Sequence, residues 1–274
     1  MVVQHNMQSM NANRQLGVTT SAQAKVTEKL SSGYKINRAA DDAAGLTISE
    51  KMRSNIRGLT QASSNAQDGV SCVQTAEGAL TEVHSMLQRM NELAVKAANG
   101  TNTSADRKAI NAEITQLKSE IDRVQQSTQF NTLNLLNGDF SGGKAIQVGA
   151  ANAPEQRINI SIGKMSTSSL GLTAGVNVTT QANAQNAIAK ITQAIAQVSD
   201  QRSKLGAIQN RLDHTIANLD NVVENTTAAE SQIRDTDMAK TMVEYTKNNI
   251  LAQAGTAMLS QANQSTQNVL SLLG

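Results

Sequence analysis

Three histidines, one cysteine and one glycine-rich loop are the places where this chain could do chemistry. The histidines are His5, His84 and His214, and none belongs to a His-x-x-x-His or Glu-x-x-His pair that would set two metal ligands on one helix face. Folding could bring His84 and His214 together, since both fall on long helical stretches; the plainer expectation is surface or seam-edge side chains. Cys72 has no neighbour in sequence that would lower its pKa, so it reads as a small residue beside a helix seam. Residues 138–144, Gly-Asp-Phe-Ser-Gly-Gly-Lys, carry the glycine and lysine spacing of a phosphate-binding loop. Ala145 follows where that loop needs a hydroxyl for magnesium, and no buried strand leads into it, so hairpin turns explain the segment better. Lys51, Arg53 and Arg57 are diluted by Asn and Ser, which is not the basic stripe of a nucleic-acid binder. Arg89 and Glu92 lie on a polar face opposite Leu87 and Met90, either a solvated face or a docking surface. No catalytic constellation emerges, and no cofactor or metal site is expected.

Composition narrows the classes further. A single cysteine excludes an internal disulfide and a zinc site built on paired cysteines. Tyr34, Tyr245, Phe130 and Phe140 are the only aromatic residues, too few for a stacking platform on single-stranded nucleic acid. The 24 basic and 22 acidic residues give a net charge of +2, no bulk reason for a polyanionic partner. Ala, Gln, Asn, Ser and Thr dominate the remainder, which suits long helices packed closely along narrow seams more than an enzyme core.

The chain starts with no basic patch followed by an apolar run, so no cleavable signal is read, and no stretch of 18 apolar residues predicts a membrane span. Arg14 is the first residue of fixed charge and Lys247 the last. Both ends are therefore amide-rich and uncharged, and are expected to be buried against each other or against other subunits.

The elements that must position these residues are helices. Residues 1–33 carry a weak apolar face through Met7, Met10, Leu16, Val18, Val26 and Leu30, ending at Gly33, a natural C-cap. After a linker, Asp41 or Asp42 caps a helix predicted from about Ala43 to Asn99, on the order of 80 Å long. Its second half holds a heptad stripe, Val73, Ala76, Leu80, Val83, Leu87, Met90, Ala94 and Ala97. Thr103 and Asp106 read as a capping pair for a return helix striped by Ile110, Ile114, Leu117, Ile121 and Val124. Between 130 and 175, alternation at Ile146 and Val148 and again at Ile158, Ile160 and Ile162 predicts a small region of β-hairpins. Helix resumes near Thr180, with a seam that slips around Arg202, and a final helix carries Ile233, Met238, Met242, Tyr245 and Leu251. The predicted fold is mainly α, a long-helix bundle with paired terminal helices and a mid-chain β tip capping the far pole.

Beyond periodicity, whole runs are recognisable. Residues 30–46 (LSSGYKINRAADDAAGL) strongly resemble the amino-terminal signature of bacterial flagellins, and residues 58–63, 75–80, 87–94 and 128–131 continue that resemblance. Residues 252–264 and 267–273 resemble the carboxy-terminal signature. The resemblance implies an inner core domain from residues 1–42 and 228–274. It implies an outer core domain from the long and return helices (43–129), the hairpin region (130–175) and the returning helix (176–227). Because about ten residues separate the last β-like segment from the returning helix, it further implies a short form without outer variable domains.

By the same resemblance the chain would leave the cell unfolded through the flagellar type III system, without a cleaved signal, and polymerise into an extracellular helical filament for motility. Its partners would be other copies of itself, the flagellar cap, the hook–filament junction proteins and an export chaperone, with no nucleic acid and no membrane insertion. The candidates for packing in the filament core are Leu16, Val26, Leu30, Leu251, Leu259, Leu270 and Leu273. A second implied role is recognition by a Toll-like innate immune receptor through Gln88, Arg89, Glu92, Leu93 and Glu113. The closing Val269, Leu270, Leu272 and Leu273 match an inflammasome motif, though the chain has Gly274 where several potent members carry arginine. The alternative is a hook-associated junction protein, in which the signatures between 58 and 94 would diverge.

Overall fold

Asn6 begins the first helix by accepting the Ser9 backbone N–H on its side chain at 3.0 Å. Helix α1 (Met7–Ser32) then runs to Gly33, whose φ of 76° places the cap in the left-handed region and lets its N–H reach the Lys29 carbonyl. The computed structural model describes residues 5–173 and 176–273, with side chains as far as residue 265. After α1 come α2 (Ala43–Ala98), α3 (Ser104–Ser127), β1 (Gln129–Phe130), β2 (Leu133–Asn134), β3 (Lys144–Gln147), β4 (Arg157–Ile160), α4 (Gln181–Arg234) and α5 (Met238–Leu273).

The caps fall where the polar residues allow them. Asp42 caps α2, accepting the Gly45 N–H at 2.9 Å. Asp41 instead turns back to the linker, where the Arg38 and Asn37 N–H groups donate to it at 3.0 and 3.3 Å. The Arg38 bond is the main reason its carboxyl sits below the usual range. Thr103 and Asp106 form a reciprocal capping box, Asp106 N–H to Thr103 Oγ1 at 3.3 Å and Thr103 N–H to Asp106 Oδ2 at 2.9 Å.

The chain divides into two compact units, residues 1–56 with 224–274, and residues 57–223. The second holds the main core. Every member of the predicted α2 stripe from Val73 to Ala97 is buried, and Ile110, Ile114 and Ile121 of α3 close on it. The third wall is α4, where the expected slip is absent. Its buried residues Ala184, Ala187, Ile191, Ala194, Val198, Gln201 and Leu205 keep one unbroken heptad rhythm, continued by Leu212 and Leu219. Gln201 occupies a seam position and masks the continuity, while Ile188, Ile195 and Ile208 are only half-buried flanks. Gln201 is tolerated there because its amide donates to the Ser161 carbonyl at 3.0 Å and its oxygen accepts the Gly163 N–H.

The β region is smaller than expected. Two separate two-stranded antiparallel sheets form, β1 with β2 and β3 with β4. Ile162 lies beyond β4; it is buried, but its N–H turns to the Phe140 carbonyl at 3.2 Å instead of a strand. The Ser- and Thr-rich stretch that follows is held by side chains. Asp122 of α3 accepts both the backbone N–H and the hydroxyl of Thr167, at 2.9 and 2.7 Å, and Asn111 accepts the Val178 N–H. The β3–β4 hairpin does not cap a pole. It lies along α2, where Asn65 donates to the Gln147 carbonyl and a Cβ on Gly58 would stand 2.7 Å from the Ala150 methyl. Val148 and Ile158 find their apolar neighbours there, in Ala66 and Leu212. At the α2–α3 turn, the Arg107 guanidinium binds the Ala97 and Asn99 carbonyls, each at 3.0 Å.

In the first unit α1 and α5 pair antiparallel. Asn6 donates its amide to the Ala262 carbonyl at 2.9 Å, and the Ser9 hydroxyl meets Asn263 at 2.8 Å. Where α4 gives way to α5, the backbone of 234–236 pairs with 33–35: Lys35 N–H to the Arg234 carbonyl, Thr236 N–H to the Gly33 carbonyl, and a bridge between Tyr34 and Asp235. Ile233 therefore belongs to the last turn of α4 rather than to the final helix, which restarts at an Asp237 cap on the Lys240 N–H.

Candidate interaction surfaces

Two surfaces stand out, and neither is a catalytic site. The first is built on the α2–α3 pair. Arg89 projects from α2 and reaches Glu113 of α3 through Nε and Nη2, at 3.1 and 3.0 Å, while Nη1 meets Glu92 one turn on at 3.2 Å. The Glu113 bonds are the first cause of a raised guanidinium pKa, so the charge is permanent. All three side chains are about half exposed or more, so these pairs orient the arginine more than they stabilise the helices.

Leu93 does not stand beside Arg89 as an exposed contact. It is buried and, with Ile110, belongs to the floor of a depression of about 550 Å³ whose rim includes Arg89, Glu92, Lys96 and Glu113. Gln88 is exposed and lies 3.1 Å from Nε2 of His84. The five receptor candidates thus share one stretch of surface, with Leu93 beneath it.

The second surface belongs to the α1–α5 pair. Val26 is the only buried residue of α1, and Thr241 the only one among the described side chains of α5. Leu16, Leu30 and Leu259 are half-buried, whereas Leu251 is 46% exposed. Leu270 and Leu273 lie outside the described side chains. Met7, Met10 and Val18 on α1, and Val243, Ile250 and Met258 on α5, are all more than 60% exposed. Among the described residues of the second unit, the exposed large apolar side chains are Val95, Leu133 and Val222, at 54, 51 and 39%. Of the sequence-derived candidates, Leu16 faces α5 within the pair, against Gly255. The outward apolar face, carried by methionines and β-branched residues, was legible as weak helical periodicity without its direction.

The remaining candidates stay apart. The pairing of α2 with α4 sets Glu77 against Arg202 and Gly69 against Leu212, so His84 and His214 stand at different levels. Among the described residues no three of His, Cys, Asp and Glu are grouped to hold a metal ion. Cys72 is buried, and desolvation raises its thiol pKa, away from reactivity. In the Gly138–Lys144 loop, Lys144 opens β3 and its ammonium lies 5.9 Å from the Phe140 ring. No described helix is long and apolar enough to cross a membrane.

A mainly α chain with a well-packed helical bundle and a pair of end helices that expose their apolar residues is built as a structural protein that associates with itself. The description of the bacterial flagellin N-terminal helical region matches residues 3–141, and that of the flagellin C-terminal helical region matches residues 188–273. The flagellin of Halalkalibacterium halodurans is 54% identical over 274 residues, with both chains covered completely. That of Bacillus subtilis is 49% identical over 305 aligned positions, again covering both chains. The chain belongs to the bacterial flagellin family. It is a short form, with no outer domain between β4 and α4, and a filament protein rather than an enzyme. A solved structure assigned to a flagellar hook-associated protein of Vibrio parahaemolyticus covers 71% of this chain and all of its own, with a TM-score of 0.59. At 16% identity it shares the fold alone.

Proposed function

We propose that this chain polymerises into the flagellar filament by burying the outward face of α1 and α5 against the same helices of neighbouring copies. The observation that carries the reading is the contrast within one molecule, a closed core in residues 57–223 beside end helices with a single buried residue in α1. Each large apolar side chain removed from water contributes about 1.5–3 kcal/mol, enough in sum to offset the ordering of two long helices. The contacts are heterologous and non-closing, as an extending helical array requires. Export as an unfolded chain through the flagellar type III system, delivery by a chaperone, and growth beneath a cap onto junction proteins complete the proposal. In this reading the inner and outer core domains are those the sequence resemblance implies.

We also infer that the Arg89 surface is read by a Toll-like receptor. A guanidinium held in place by two carboxylates over an apolar floor is the kind of pre-organised anchor that dominates an interface. The junction-protein alternative gains nothing from the Vibrio structure, whose likeness is one of fold. Seeded polymerisation tests the first reading: filaments of uniform width are expected from the full chain, and none after deletion of residues 1–33. Monomers or closed rings from the intact chain would overturn it.

A further inference from the structure

Three segments of the first unit meet on one arginine. Arg234 ends α4 with a side chain only 12% exposed, and its Nη1 donates to Glu50 of α2 at 2.7 Å. Its guanidinium carbon lies 4.6 Å from the centroid of the Tyr34 ring, in the linker after α1. The backbone is stitched around this contact, Lys35 N–H to the Arg234 carbonyl at 2.7 Å and Thr236 N–H to the Gly33 carbonyl at 3.0 Å. Nε is buried without a hydrogen-bond partner, a loss that the ion pair and the ring must outweigh. A freely solvated arginine has no reason to adopt this position.

The two arms leaving this point are matched. From the Tyr34–Asp235 bridge, α1 runs back 28 residues to Asn6 and α5 runs forward 27 to Ala262, and there the two side-by-side residues hydrogen-bond. Partway along, Leu16 packs over Gly255, 18 residues from Tyr34 and 20 from Asp235. At both places the two arms agree to within two residues. The seam between them holds few large apolar side chains, because α1 and α5 are rich in Ala, Gln, Thr and Met. Its one tight fit is at Gly255, where a Cβ would stand 3.2 Å from Leu16 Cδ1.

We propose that Arg234 is a positioning residue for assembly: stacked on Tyr34 and paired with Glu50, it clasps residues 33–35 to 234–236 and sets the register in which α1 and α5 pair. The purpose rests on the filament reading above, since register decides which apolar side chains face a second copy together. The register itself is a property of one chain and is measured there.

The test uses the full chain with Cys72→Ala. Ser9→Cys with Asn263→Cys reports the native register on oxidation, and Ser9→Cys with Leu259→Cys reports a one-turn slip, each read by peptide mass. Arg234→Met and Tyr34→Leu are expected to shift the ratio of native to slipped cross-link by about tenfold toward the slipped form, the scale of a lost desolvated cation–π contact. Tyr34→Phe keeps the ring and should match the parent. Should Arg234→Met fail to fold, Tyr34→Leu, on the opposite strand, makes the same comparison. A ratio unmoved by both variants would overturn the proposal, and so would Tyr34→Phe acting like Tyr34→Leu. A shifted ratio in a chain that never polymerises supports the clasp while sinking the filament reading, so the two failures are distinct.

Discussion

At the scale of single residues, several polar side chains hold irregular backbone in place. Asp122 accepts two bonds from Thr167, and Asp122→Ala leaves a buried N–H and hydroxyl unpaired. Equilibrium unfolding in urea should show a loss of about 1–3 kcal/mol, with the slope unchanged. Asp106 carries a pH signature. Its folded pKa is lowered, chiefly by the Thr103 hydroxyl and then the Thr103 N–H, so its contribution is present above the ordinary aspartate pKa and is lost as pH falls through the folded value. The melting temperature of the parent should exceed that of Asp106→Asn at neutral pH, and the gap should close on acidification below the usual carboxylate range. A gap that persisted in strong acid would exclude the capping carboxylate as its source. Arg89 tests the receptor proposal. Arg89→Ala should weaken binding to the receptor ectodomain by about tenfold or more while leaving the melting temperature within the range of surface substitutions.

At the scale of elements, the heptad stripe of α2 and the capping box of α3 were readable because they are local and strongly periodic. The C-terminal end of α1 was equally plain, through Gly33, whereas its start at the Asn6 cap was not read. The seam of α4 was not, because a polar residue and several alanines occupy buried positions while bulkier isoleucines flank them. Aliphatic size misled where volume, not hydrophobicity, was limiting. The position of the β3–β4 hairpin was also hidden, since Gly58, Ala66 and Gly69 mark close approach without saying which segment approaches. Placing Ile233 in the last helix failed for a similar reason: the break at 235–237 depends on pairing with residues 33–35, far away in sequence. Gln201 turns the lesson into a prediction. Gln201→Leu completes the apolar heptad yet strips the Ser161 carbonyl and the Gly163 N–H of their partner. The variant should be less stable than the parent by about 1–3 kcal/mol in chemical denaturation, against the expectation from heptad rules alone.

At the scale of the whole molecule, the chain separates two tasks. Residues 57–223 leave few of their described large apolar side chains exposed, while α1 and the described part of α5 hold Met7, Met10, Val18, Val243, Ile250 and Met258 outward. The candidate site was legible in outline from the uncharged ends, and the family resemblance supplied its meaning. Which side chains point outward depends on the α1–α5 register, which no single-helix pattern contains. The central claim is that this outward face drives polymerisation, and one measurement addresses it directly. Val243→Lys and Ile250→Lys each replace an apolar side chain more than 60% exposed in the single chain, so neither should shift the melting temperature appreciably. Seeded growth followed by negative-stain microscopy should give long filaments of uniform width from the parent and none, or only short fragments, from the two variants. Filaments of normal length from both lysine variants would contradict the account and place the assembly contacts elsewhere.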